Sequence, residues 1–264
     1  MTMAPSLDDA HVAFEQVRMA FGDRVVFRAL SCTLPRSKIS VILGGSGTGK
    51  STVLRLIGGL VRPLSGSIEV AGEDITRLSE AQMYAVRQKL GMMFQGGALL
   101  DSLTVLDNVA LPLREHTNLG EKEIVREARA TLASVGLNDV DDLLPGQLSG
   151  GMVKRAALAR AIVRRPVILL CDEPFSGLDP VSVKRIEALL THINKQLRVT
   201  MIIVSHHIAS TMRMADRVVL LLGEEVIEGP PAELKQSTDP RVRAFLDEET
   251  DEPTERAVGS SGAA

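Results

Sequence analysis

The chain has 264 residues, of which 45% are hydrophobic and 24% charged, and 30 Lys and Arg stand against 33 Asp and Glu for a net charge of −3. That length suffices for one large α/β domain with a helical insertion, and the charge balance, with no Trp and a single Tyr, argues against a nucleic-acid partner, whether held by a basic field or by base stacking. Two cysteines, Cys32 and Cys171, make no disulfide framework and fit a reducing cytoplasm, and no apolar run approaches the ~20 residues that span a bilayer.

The first ten residues are polar and acidic, so no signal peptide is expected there. Residues 12 to 38 alternate apolar and polar positions, with turns at Gly22-Asp23 and Pro35-Arg36, and predict an antiparallel strand group. The apolar run Ile39 to Leu43 then feeds Gly44-Gly45-Ser46-Gly47-Thr48-Gly49-Lys50-Ser51, with a helix opening at Lys50 and running on through Thr52. Strand, glycine loop and helix in that order fit the phosphate-binding pattern G-x-x-x-x-G-K-[ST]. Glycines let main-chain N–H groups converge on an anion, and the helix N-terminus adds partial positive charge. Lys50 is placed to reach the β- and γ-phosphates of ATP, and the Ser51 hydroxyl to ligate Mg²⁺. The plainer alternative is an ordinary glycine turn before a helix.

Residues 67 to 72 predict another strand and turn. From about Gln95 to Gly146 the texture is helical. Ile124, Val125, Ala128, Leu132 and Val135 form one core stripe at helical spacing, stopped by Gly136. Ser149-Gly150-Gly151 precedes a helical pattern over Val153 to Val163, a second helix N-terminus able to face a phosphate, or simply a cap. The apolar run Val167 to Cys171 predicts a buried parallel strand ending in Asp172 and Glu173. Carboxylates at the end of such a strand lie where ligands bind in open α/β sheets. Asp172 is the candidate for the Mg²⁺ shell, and Glu173 for polarising an attacking water. Residues 200–204 and 217–222 predict further buried strands. From Asp247 to Ala264 six acidic residues give way to Gly-Ser-Ser-Gly-Ala-Ala, a composition that predicts a mobile tail, or else an arm for a neighbour.

Taken together, Leu148-Ser149-Gly150-Gly151, placed between the glycine loop and the acidic strand, closely resembles the signature of ABC-type ATPases, and the resemblance covers about residues 10 to 246. It implies a P-loop ABC ATPase fold: a mainly parallel sheet core, an antiparallel β subdomain, and an α-helical subdomain inserted at about residues 96 to 146. It implies ATP and Mg²⁺ as cofactors. It also implies ATP contacts from Gly44 through Thr52, Phe21 stacked on adenine, Gln95 as the Q-loop glutamine near nucleotide and metal, and Asp179 in a D-loop Ser176-Gly177-Leu178-Asp179. His206 resembles the switch histidine, a catalytic candidate beside Glu173. The departures are Met152 after the signature, Gly177 in the D-loop, and His207 after His206. His207 is expected at a surface or interface rather than in catalysis.

Residues 94–99, 110–117 and 239–246 further resemble the ATPase subunit of Mla-type lipid transporters. On spacing alone Arg114, Glu115 and His116 are a solvated helix face; the resemblance instead implies a partner surface. It also implies a second copy of the chain in a head-to-tail ATP sandwich, an MlaE-type permease, an MlaD-type MCE-domain protein, an MlaB-type STAS-domain protein, and a peripheral position on the cytoplasmic face of the bacterial inner membrane. Two rivals share the motifs: the ATPase of another ABC importer, and a soluble ABC protein acting on ribosomes or DNA repair. The second usually has two cassettes or long coiled coils, and neither is visible here.

Overall fold

The computed structural model describes residues 10–223 and 225–248. Two long strands, β1 (Ala10–Phe21) and β2 (Arg24–Pro35), form a hairpin that turns at Gly22-Asp23, where Phe21 pairs with Arg24. With β4 (Ser65–Val70) and β5 (Glu73–Asp74) they make an antiparallel sheet in the order β2-β1-β4-β5. The main sheet contains β3 (Ile39–Gly44), β6 (Leu90–Met93), β7 (Ile168–Asp172), β8 (Thr200–Val204), β9 (Arg217–Leu222) and β10 (Glu225–Gly229). Its order is β10-β9-β3-β8-β7-β6, parallel except for the edge strand β10.

The central strands are apolar without interruption because both faces are covered. Val41, Leu169, Ile203 and Leu220 point into one cluster, shared with the helices α3 (Val105–His116), α4 (Glu121–Ser134), α5 (Gly150–Ile162) and α6 (Pro180–Leu197). Their neighbours Ile42, Leu170, Ile202 and Val219 point into the other, with α1 (Lys50–Ile57) and the antiparallel sheet. Two-residue periodicity thus sends alternate side chains to opposite cores. Leu54 of α1 is fully buried, and a side chain of that kind contributes roughly 1.5–3 kcal/mol.

The predicted antiparallel group, the strand near 67–72 and the four strands read from apolar runs are all present. The strands β6 and β10 and the helix α2 (Glu80–Arg87) are not foreseen from the sequence. Short helices α7 (Ile208–Met214) and α8 (Pro231–Lys235) follow, then α9 (Pro240–Glu248). The predicted tail lies outside the described residues except for Asp247 and Glu248, which continue α9. Within the helical stretch, residues 94–104 form a loop rather than a helix. Buried Asn108 organises it, donating from Nδ2 to the carbonyls of Leu100, Leu103 and Thr104 and accepting from the Leu100 N–H at 2.7 Å. Arg114 is a brace between α3 and α4: it donates to Asp107 at 2.9 Å and Glu121 at 2.5 Å. His116 meets the Tyr84 hydroxyl of α2 at 3.1 Å.

One buried contact ties the two sheets and sets a pH dependence. His11 Nδ1 lies 2.6 Å from Thr200 Oγ1, which also accepts from the Ser37 N–H at 2.7 Å. Burial, and then the nearby Arg36 and Lys89 charges, pull the His11 pKa down to about 4. The folded chain therefore leaves His11 neutral where the unfolded chain, near 6.5, takes up a proton. Stability is retained above pH 6.5 and lost as pH falls towards 4, by up to roughly 3 kcal/mol. In denaturant melts, H11N should flatten this dependence between pH 6.5 and 4. An unchanged pH slope would show that another group sets it.

Candidate functional site

Parallel pairing brings distant residues to one edge. Gly44 ends β3, Asp172 ends β7, Val204 ends β8 and Met93 ends β6, so the loops that follow them meet at the carboxyl end of the sheet. The glycine loop is held from below. Gly49 has φ +97°, and a Cβ there would lie 2.5 Å from Val26 Cγ1 and 2.7 Å from Phe27 Cζ. Only glycine fits both that backbone and that space. Lys50 Nζ donates to the carbonyls of Gly44 at 2.7 Å and Gly45 at 2.9 Å, folding over the loop. Thr48 Oγ1 donates to Gly45 O at 2.9 Å and fixes the turn.

Above the loop opens a cleft of about 390 Å³. Its walls include Phe21, Ser46, Gly47, Gly49, Lys50, Ser51, Thr52, Gln95 and Glu173, so half of the sequence-derived candidates line one cleft. Phe21 is 45% exposed at the rim and is not a core side chain. Gly44, Gly45 and Thr48 form the inner curve of the loop through the bonds above. Arg24 and Val26 also line the cleft, and neither stands out in the sequence. Arg24 Nη2 donates to Gly47 O at 3.1 Å. Its only sequence signal is its place opposite Phe21 across the β1–β2 turn.

Asp172 joins the cleft through Ser51, whose hydroxyl donates to Asp172 Oδ1 at 3.1 Å. Burial pushes the Asp172 carboxyl above the ordinary carboxylate value. The Ser51 bond pulls against that, the adjacent Glu173 charge adds to it, and Arg55 and Lys50 oppose it. A buried carboxylate raised in this way gains from a nearby cation. Hard oxygen donors, few in number and next to a phosphate loop, suit Mg²⁺, which keeps several waters and shares substrate phosphates. Ser51 and Asp172 are the residues that would hold the ion; Gln95 lies on the same cleft wall.

Glu173 has φ +47° and is mostly buried. Its Oε2 lies 2.9 Å from His206 Nδ1 without hydrogen-bond alignment, so a carboxylate and an imidazole face each other with the acceptor unspent. The His206 side chain is 59% exposed, on the solvent side of that pair. His207, expected at a surface or interface, has a local structural role. It is half-buried and caps α7, with Nδ1 2.8 Å from Ser210 Oγ and the ring 5.9 Å from that of Phe175.

Ser149, Gly150 and Gly151 do not line this cleft. Ser149 caps α5 by accepting from the Met152 N–H, and its side is exposed. Asp179 likewise stands apart, capping α6 by accepting from the Val181 and Ser182 N–H groups at 2.9 and 3.0 Å. The chain therefore brings together a phosphate loop, a carboxylate pair and a histidine, and presents a second helix N-terminus elsewhere.

Residues 27–176 match the family described as ABC transporter. The chain is 45% identical over 233 residues to the intermembrane phospholipid transport system ATP-binding protein MlaF of Haemophilus influenzae, covering 88% of each chain. It is 43% identical over 228 residues to the probable ribonucleotide transport ATP-binding protein mkl of Mycobacterium tuberculosis, covering 86% of this chain and 64% of that one. Its fold matches a dimeric ATP-binding cassette, MJ0796, in a post-hydrolysis state bound to ADP and Pi. That match has a TM-score of 0.76 and 29% identity, over 83% of this chain and 98% of the other.

Proposed function

The chain belongs to the ABC transporter family, and from that premise we propose that it is the ATP-hydrolysing subunit of a transporter moving phospholipids between the inner and outer membranes of a bacterium. The observation that supports this most is the likeness to MlaF over nearly the full length of both chains, joined to the cleft over the glycine loop.

In this reading ATP lies with its adenine on Phe21 and its phosphates over the glycine loop. Main-chain N–H groups at the start of α1 face the β- and γ-phosphates, and Lys50 moves from the Gly44 and Gly45 carbonyls onto them. Ser51 and Asp172, with Gln95 on the same wall, would hold Mg²⁺, which would supply charge neutralisation on the phosphates. Glu173 orients a water and takes its proton as the oxygen attacks the γ-phosphorus and the bond to ADP breaks. His206, beside Glu173, contacts the γ-phosphate. Ser149 to Gly151 lie outside the lining of their own cleft and, in this reading, complete the site of a second copy, head to tail, with Asp179 nearby. An MlaE-type permease, an MlaD-type MCE-domain protein and an MlaB-type STAS-domain protein are the proposed companions. Among the described residues no helix is long and apolar enough to cross a membrane. The proposed position is peripheral, on the cytoplasmic face of the inner membrane, through contact with the permease.

The two histidines separate by experiment. H206A should lower the ATPase rate by about 10²-fold through loss of a γ-phosphate contact. H207A should keep most of the rate and lower stability by about 1 kcal/mol through loss of a helix cap. Equal rate losses in steady-state assays would show that the wrong histidine has been assigned.

The mycobacterial likeness favours a second reading, an importer with another cargo, because the ATP cleft touches no cargo and is common to both. Isolation of the native membrane complex, with mass spectrometry of its subunits and bound small molecules, decides between them. Glycerophospholipid with an MlaE-type permease is the expected result. A different permease carrying a nucleotide or amino acid would overturn the lipid assignment.

A further inference from the structure

One buried charge is left unused by that mechanism. Lys154 lies one turn into α5, is only 6% exposed, and donates from Nζ to the main-chain carbonyls of Gln95 and, at 3.1 Å, of Glu173. These residues are 59 and 19 positions away in the chain, and both border the ATP cleft. Burial lowers the Lys154 pKa, while the Glu173 and Asp172 charges work the other way. Burying an ammonium group costs several kcal/mol unless it is well satisfied.

Glu173 is held in the left-handed region, φ +47°, which a residue with a Cβ occupies only when its surroundings impose it. Both of its main-chain polar groups are fastened. The N–H donates to Val204 O at 2.9 Å, and the carbonyl accepts from Lys154. The loop carrying Gln95 runs along the same helix. Arg160 of α5 donates to Ala98 O at 2.7 Å and Gly97 O at 2.9 Å, and a Cβ at Gly97 would lie 2.9 Å from Val153 Cγ1.

We propose that Lys154 is a positioning residue for hydrolysis: it grips the carbonyls of Gln95 and Glu173 together and so sets the direction in which the Glu173 carboxylate meets the attacking water. This rests on the reading of Glu173 as the group that activates water. Lys154 itself touches neither nucleotide nor water in that scheme. Its removal should therefore affect the rate constant and not ATP affinity.

The test uses the full chain assembled in its native transporter complex. K154M keeps the length of the stem and removes the donors. Its kcat should fall by about 10- to 100-fold, the scale expected when a reacting group is displaced by about 1 Å. KM for ATP should stay within about threefold, because uniform binding is untouched. K154R, which restores charged donors, should recover most of the rate. The decisive reading is non-additivity. In single-turnover hydrolysis, adding K154M to E173Q should change the residual rate by less than about twofold, since there is no positioned base left to lose.

Wild-type kcat in a folded K154M protein would overturn the proposal. So would losses that multiply in the double variant, as a merely structural role predicts. If K154M does not fold, K154Q serves in its place, with a lowered kcat expected and a wild-type kcat counting against the idea. The two readings fail separately. Wild-type turnover in E173Q alone sinks the role of Glu173. An inactive E173Q beside an unimpaired K154M sinks only that of Lys154.

Discussion

Replacing Glu173 by Gln should leave ATP binding intact and lower hydrolysis by about 10²–10⁴-fold, the range that a positioned general base contributes. The geometry makes this substitution selective. Glu173 is mostly buried, its N–H is bonded to Val204 O, and its carboxylate faces His206 at 2.9 Å. A glutamine fits the same space and leaves those main-chain contacts in place. What it lacks is a basic oxygen to take the proton from water. With ATP bound and not consumed, two copies should remain closed around two nucleotides. Size-exclusion chromatography with ATP should then show a dimer that the wild type forms only transiently. Turnover at the wild-type rate would remove Glu173 from the role of base. Loss of ATP binding along with turnover would point instead to collapse of the loop after β7.

A second large effect is expected at Lys50, and it doubles as a test of how the site is completed. K50A removes the ammonium that lies over the glycine loop, bonded to Gly44 O and Gly45 O. Without it the negative charge on the β- and γ-phosphates is uncompensated, and turnover should fall by about 10²–10³-fold, as for loss of one preorganised electrostatic group. S149R places a long charged side chain at the exposed start of α5 and should be equally damaging. Ser149 lies outside the cleft of its own chain, so its damage should fall on the partner's nucleotide.

Mixing the two variants in the transporter then gives dimers with one doubly damaged site and one intact site. Part of the ATPase activity should return, although each homodimer is inactive. Verified mixed dimers without recovery would count against completion by the second copy, unless turnover requires two working sites. Disulfide cross-linking between the glycine loop of one copy and the signature of the other resolves that case.

The local sequence determined those parts of the molecule whose physics is local. Gly44 to Ser51 is legible because a phosphate loop needs glycines at fixed offsets, a lysine and a hydroxyl in one continuous stretch. The strands at 39–44, 168–172, 200–204 and 217–222 are legible because burial on both faces leaves unbroken apolar runs. The helix over residues 121–134 shows in its apolar spacing and its terminal glycine. Short β6 and the half-exposed edge strand β10 carry too weak a pattern to be read. Asn108 turned a stretch with helical texture into an ordered loop by bonding carbonyls four to eight residues upstream.

Tertiary structure alone decided the rest. Arg24 reaches the cleft because a hairpin pairs it with Phe21. His207 is a cap because α7 begins beside it, and Arg114 is a brace because α3 and α4 pack together with Asp107 and Glu121 in reach. Lys154 meets Gln95 and Glu173 because α5 packs against β6 and the residues that follow β6 and β7 lie within reach. In each case the partner lies across a turn, a helix boundary or a sheet edge. A side chain's role there is set by which atoms the packed elements bring within about 3 Å of it, and no pattern of residue types along the chain encodes that distance.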